Sequence, residues 1–104
     1  MQLNDFIELI ISVDASATKW FGATEGNYTT WRPYEIEKHS ADNLGVERLI
    51  KIQIDRFTRL DADPVVYTIT DILNQHPDEI AYRYLIDFEQ DTKYIHHIWD
   101  CEVI

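Results

Sequence analysis

Hydrophobic and polar residues alternate along the middle of the chain, between residues 46 and 59. Ile50, Ile52 and Ile54 occupy every second position there, and polar residues lie between them. This period of two places the three branched side chains on one face of a β-strand. Because β-branched residues suit a pleated, half-buried surface, the pattern predicts a strand around which the other elements are arranged.

Two other segments repeat their hydrophobic residues with the period of a helix. They are residues 3–12 and residues 64–75. Asp63 is a predicted N-cap of the second helix, and Pro64 follows it at a position where a missing N–H has no consequence. Pro77 is expected to end that helix. The sequence therefore predicts two amphipathic helices that pack their apolar stripes against a sheet.

The remaining segments have the alternation and composition of strands. Residues 27–38 are rich in aromatic residues and threonine, and we expect them to pair antiparallel with the central strand through a loop over residues 39–45. Pro33 cannot donate to a strand ladder, so it predicts an edge strand, a bulge or a break there. Residues 80–88 and 94–103 are predicted to form a hairpin.

A short strand over residues 18–21 completes the prediction, and a loop with Gly22 and Gly26 follows it. The predicted fold class is α+β. It consists of a mixed, mainly antiparallel sheet of about four to five strands with two helices packed against it. The length of 104 residues predicts a single domain over residues 1–104.

The charge and cysteine content exclude several classes of function. The chain has 9 basic and 19 acidic residues, a formal charge of −10, which opposes nucleic-acid binding by phosphate neutralisation. A single cysteine, Cys101, cannot form an internal disulfide, and we expect it to be buried on a strand. The first residues lack the basic start of a signal peptide, and no apolar run has the ~18 residues of a membrane span. These features predict a soluble cytoplasmic protein.

Candidate metal ligands and catalytic groups do not form a recognisable motif. His96 and His97 are neighbours on a predicted strand, so their side chains point to opposite faces and cannot bind one metal. The acidic residues near Asp61 lack the glycine and glutamate of a calcium loop, and those near Asp87 lie in a turn. The sequence has no glycine-rich phosphate loop and no Gly-x-Ser-x-Gly motif. We therefore predict no enzymatic activity, no cofactor and no metal.

Several stretches together resemble a known family. They are the first helix, the Tyr-Thr-Thr-Trp segment at residues 28–31, the Ile-Gln-Ile-Asp-Arg-Phe segment at residues 52–57, the capped helix at residues 63–75, and residues 87–97, which end in Tyr-Ile-His-His. This order of elements resembles the small tail-terminator, or tail-completion, proteins of long-tailed bacteriophages and prophages. The resemblance covers most of the chain.

The resemblance implies a structural protein that forms a homo-oligomeric ring, expected to be a hexamer, at the head-proximal end of the tail tube. The implied partners are other copies of the chain, the tail-tube protein and head-completion proteins, and DNA only passes through the lumen. No membrane is involved, and the implied location is the host cytoplasm during assembly and then the tail or neck of the virion. We expect subunit and partner contacts at exposed aromatic and arginine side chains and at two loops, residues 22–26 and 39–45. The predicted contact residues are Trp20, Tyr28, Trp31, Arg32, Tyr34, Arg48 and Arg56.

A second interpretation belongs to another class of protein. The charge of −10 is also typical of a small acidic binding or inhibitory protein that imitates DNA. Such a protein is expected to be a monomer or dimer that binds a basic enzyme. A tail terminator is expected to form rings or to bind a tail-tube protein, so stoichiometry and partner distinguish the two interpretations.

Overall fold

The predicted central strand is the third of five strands in one sheet of a computed structural model, which describes residues 1–22, 25–39 and 46–104. The side chains of residues 38–39 and 46–48 lie outside this description. The elements in chain order are α1 (Leu3–Val13), β1 (Thr18–Lys19), β2 (Tyr28–His39), β3 (Val46–Thr58), α2 (Pro64–Asn74), β4 (Ile80–Phe88) and β5 (Ile95–Val103). The predicted loop at residues 39–45 begins with His39, which is the last residue of β2. Residues 40–45 and part of the glycine loop lie outside the described residues.

The strands are arranged in the order β1-β2-β3-β5-β4. β1 pairs parallel with β2, and the other three pairs are antiparallel. The predicted α+β fold with a mixed, mainly antiparallel sheet and two helices is thus confirmed. The pairing of β2 with β3 and the β4–β5 hairpin are also as predicted.

Local signals in the sequence set the helix and strand boundaries. The Asp63 side chain accepts a hydrogen bond from Val65 N at 3.0 Å, which confirms the predicted N-cap of α2. Near α1, the Asp5 carboxylate accepts from Gln2 N at 3.1 Å. The register of β2 against β3 shifts between Pro33 and Glu35, so the proline marks a bulge.

The hydrophobic core lies between the two helices and one face of the sheet. Ile50, Ile52 and Ile54 of β3 all point into it, together with Trp99 of β5. The other buried hydrophobic residues of this cluster are Phe6, Ile10, Trp31, Val66, Ile69, Leu73, Ile80, Cys101 and Val103. The Cys101 thiol is fully buried, as predicted, and burial raises its pKa well above the ordinary value.

The opposite face of the sheet carries the polar positions of the same strands, and we call it the open face. Lys51, Gln53 and Asp55 of β3 alternate with the buried isoleucines and therefore point to this side. His96 shares the open face, since it hydrogen-bonds Asp55. In the described part of the chain, neither helix is long and apolar enough to cross a membrane.

Candidate interaction groove on the open face

A groove lies on the open face where β1, β2 and β3 meet. It has a volume of about 250 Å³, and its lining residues are Trp20, Gly22, Tyr28, Thr30, Arg32, Gln53, Asp55 and Phe57. We call it the open-face groove. It brings together three of the predicted contact residues, Trp20, Tyr28 and Arg32, and Tyr34 lies beside them with its ring centroid 5.9 Å from Arg32 Cζ.

One wall of the groove is aromatic. Tyr28 of β2 stacks on Phe57 of β3 with ring centroids 4.8 Å apart, and Phe57 stacks on His96 of β5 at 4.1 Å. Gly22 packs so closely on Tyr28 that an added Cβ would lie 2.0 Å from Tyr28 Cε2. A side chain at position 22 would therefore displace the tyrosine ring, and glycine is what allows this wall to form.

The other wall is polar, and its hydrogen bonds run from strand to strand. Arg32 Nη2 donates to Gln53 Oε1 at 3.2 Å, and Gln53 Nε2 donates to Asp55 Oδ1 at 2.9 Å. His96 Nε2 lies 2.7 Å from the same oxygen of the buried Asp55. These hydrogen bonds position the Arg32 side chain, which remains exposed. A guanidinium has five N–H donors, so Arg32 can still donate to a carboxylate of another molecule.

Tyr34 extends the polar wall toward β5. Its hydroxyl donates to Asp100 Oδ1 at 2.5 Å, and this hydrogen bond is the main reason that the pKa of Tyr34 rises to about 12. Arg83 Nη2 lies 3.6 Å from the other oxygen of Asp100. The Tyr34 phenol is therefore held neutral, and its ring is 46% exposed.

Two of the other predicted contact residues are buried. Trp31 is only 8% exposed, so the expectation that it lies on the surface is wrong: its position in β2 points to the helices. Arg56 is 7% exposed and is bound within the chain. The Arg48 side chain lies outside the described residues. Arg48 belongs to β3.

Arg56 is the centre of a buried ionic cluster between the sheet and the helices. Its Nε donates to Asp63 Oδ2 at 2.9 Å, and its Nη1 donates to Thr29 Oγ1 at 3.2 Å and to Asp14 Oδ2 at 3.4 Å. The cluster thus joins β3 to the start of α2, to β2 and to the end of α1. Sequence reasoning missed it, although the period of two that buries Ile54 also assigns Arg56 to the helix side.

Both carboxylates of the cluster have lowered pKa values. Burial alone raises the pKa of Asp63, but hydrogen bonds from Arg56, the Val65 N–H and Thr58 outweigh burial and lower it. Burial likewise raises the pKa of Asp14, and hydrogen bonds from Ser16 and Thr29 with the charge of Arg56 bring it below the ordinary value. Both groups are therefore stabilised as anions in the folded chain.

This cluster predicts a loss of stability in acid. A carboxyl group whose pKa is lower in the folded chain stabilises the fold above its unfolded pKa, here 3.8, and this contribution is lost as the pH falls through the folded pKa. We expect the denaturation midpoint to fall as the pH is lowered below about 4. Asp63→Asn keeps a good N-cap but removes one titrating group, so its midpoint should change less over this range. An identical pH profile in Asp63→Asn and the original chain would contradict the assignment.

The open face and its surroundings do not have the geometry of a metal centre in the described residues, where no three His, Cys, Asp or Glu side chains are placed to hold one ion. His96 and His97 point to opposite faces, and His97 Nδ1 lies 2.5 Å from the Tyr84 hydroxyl on the helix side. Burial lowers the pKa of His97. A shallow groove with one aromatic and one charged wall is suited to a side chain from another protein, because small-molecule sites usually enclose more of their ligand.

No protein-family model matches the chain, and no curated protein matches it.

Proposed function

We propose that this protein is a structural subunit of a bacteriophage or prophage tail, of the tail-terminator type. In this role it forms a ring, expected to be hexameric, at the head-proximal end of the tail tube and joins the tail to the head. It acts by binding other copies of itself, the tail-tube protein and head-completion proteins, without catalysis and without a cofactor.

The observation that carries the proposal is the convergence of three of the five resembling stretches on one surface. Tyr28 and Thr30, from the first stretch, pair with Phe57 and Asp55, from the second. Phe57 in turn pairs with His96, from the stretch that ends in Tyr-Ile-His-His. Segments far apart in sequence thus build a single aromatic and polar face, as expected if the resemblance reflects a shared contact surface.

The charges of the molecule fit head-to-tail association. Arg32 and Trp20 are exposed at the open-face groove, while the chain as a whole carries a formal charge of −10. Arginine and tryptophan are enriched in the energetically dominant parts of interfaces, and an acidic neighbour offers many carboxylates to a planar guanidinium. A contact between two different patches closes into a ring when the rotation between copies is suitable. An acidic lumen would also let DNA pass without binding.

The test combines the purified chain with the tail-tube protein encoded by the same genome. Negative-stain images and light scattering should show rings at tube ends, and the tubes should stop growing. Arg32→Glu with Trp20→Ala should raise the chain concentration needed for rings by about tenfold or more, since it removes two interface anchors. Ile11→Ala is the matched control, because Ile11 is exposed on α1, on the other side of the sheet.

Two results would reject the proposal. The first is continued growth of the tubes with no ring bound at any chain concentration. The second is an equimolar complex with a basic nuclease and no affinity for the tube protein, which would support the DNA-imitating interpretation instead. If the double variant and the control form rings equally well, the open-face groove is not part of the contact surface.

A further inference from the structure

The outer edge of β4 carries exposed apolar side chains. All six residues from Arg83 to Phe88 are exposed, and the exposed fractions of Ile86 and Phe88 are 61% and 52%. β4 is the last strand of the sheet on this side, so its outer N–H and C=O groups face no other described strand. Edge strands are normally protected by lysine, proline or bulges. β4 contains neither lysine nor proline, and its pairing with β5 is regular.

We propose that two copies of the chain pair through this edge, β4 against β4, antiparallel about a two-fold axis at Leu85. The pairing joins two five-stranded sheets into one continuous sheet with both helix layers on the same side. An antiparallel pair supplies each outer backbone group of β4 with a partner. The occupant of the edge is therefore a second copy of this chain.

Charge complementarity fixes the register. Centring the pair on Leu85 places Arg83 of each copy opposite Asp87 of the other, on the open face. The Arg83 side chain is 77% exposed, so it can reach across the edge. Asp87 accepts from the Phe88 N–H and has no ion pair to a described cation. A slip of the pair in either direction leaves Asp87 opposite an apolar residue, Leu85 or Ala81, so the proposed register alone pairs both charges.

The apolar side chains match in the same register. On the helix side, Tyr84 comes opposite Ile86 of the second copy, and Tyr82 comes opposite Phe88. A groove of about 240 Å³ lies between α2 and β4, and its lining residues are Val66, Tyr67, Thr70, Asp71, Tyr82 and Tyr84. Phe88 of the second copy stands at the mouth of this groove. Residues exposed in the single chain are thereby covered in the pair, which supplies a hydrophobic contribution to association.

This contact is independent of the proposed ring. A two-fold contact uses the same patch on both copies and closes at two, whereas the open-face groove lies toward the opposite edge of the sheet, on β1 to β3. The β4 pair can therefore exist whether or not the chain terminates tails.

Two charge reversals and their mixture test the proposal by sedimentation equilibrium. R83D gives each strand two acidic groups and D87R gives each strand two basic groups, so each variant alone places like charges opposite each other. The dissociation constant of each variant should rise roughly 30-fold or more, because two attractive cross-strand pairs become repulsive. An equimolar mixture of the two variants should restore association as a heterodimer, since every charge then faces its opposite.

Glu8→Arg, a charge reversal at an exposed position of α1, is the control and should leave the dissociation constant unchanged. Circular dichroism should give the same spectrum for all the variants, because both substituted β4 side chains are exposed. Two results would overturn the proposal: dissociation constants for R83D and D87R equal to that of the original chain, or a mixture that stays monomeric where the original chain is a dimer.

Discussion

Replacing Arg56 with alanine is expected to lower the free energy of unfolding by about 3–5 kcal/mol, because it leaves the buried Asp63 carboxylate and the partly buried Asp14 carboxylate without their counter-charge. The side chains of Asp63 and Asp14 are 2% and 13% exposed, so water cannot replace the lost partner well. Domains of this size have a total stability of roughly 5–15 kcal/mol. Arg56→Ala should therefore be partly unfolded near physiological temperature.

Urea denaturation followed by circular dichroism measures this effect. The matched control is Arg32→Ala, because Arg32 is exposed and its guanidinium donates to the neutral side chain of Gln53. We expect this control to change stability by less than about 0.5 kcal/mol, as is usual for surface substitutions. Equal effects of the two substitutions would contradict the buried ionic cluster.

Because Arg56 is buried, a charge reversal at this position is expected to affect stability before it affects assembly. The sequence predicts that Arg56→Glu weakens ring formation through a lost contact between subunits. In the folded chain the same substitution would bring a third carboxylate to Asp14 and Asp63, so loss of the fold would precede any effect on assembly. Arg32 is the arginine whose substitution reports on association.

The second large effect is expected from Trp99→Ala, which should lower the free energy of unfolding by about 3–5 kcal/mol. Trp99 is fully buried in the middle of the core, and its Nε1 donates to Thr70 Oγ1 of α2 at 3.1 Å. Alanine would leave a cavity under α2 and remove this hydrogen bond between the tryptophan and the helix.

Thermal denaturation is a suitable measurement, since each kcal/mol shifts the melting temperature of a domain of this size by roughly 4–8 °C. Trp20→Ala is the control with the same residue type, because Trp20 is 52% exposed at the end of β1. A shift of similar size in both variants would contradict the position of Trp99 in the core.

The sequence was sufficient to predict the elements whose periodicity is strong. The alternation around Ile52 predicted β3, and the Asp63-Pro64 pair predicted the start of α2, because these signals are local. The same reasoning could not tell which face of β2 is buried. Its two sets of alternating residues both contain large aromatics, so alternation separates Trp31 from Tyr28 without saying which one meets the helices.

The ionic cluster and the β4 edge depend on long-range packing. Arg56 binds Asp14, which is 42 residues away, and no local pattern records that approach. The exposure of Ile86 and Phe88 depends on the position of α2 over the sheet. That position is set by the order of the strands. Strand β4 was predicted from its alternation, but its place at the outer edge followed only from the fold.

We propose that the exposed surfaces of the sheet are association surfaces. The most direct test is the mass of the chain in solution by sedimentation equilibrium from about 1 μM to about 1 mM, the range in which weak protein association becomes visible. We predict that the average mass rises with concentration from the monomer value of 12.3 kDa to at least that of a dimer. A mass of 12.3 kDa throughout the range would contradict the account.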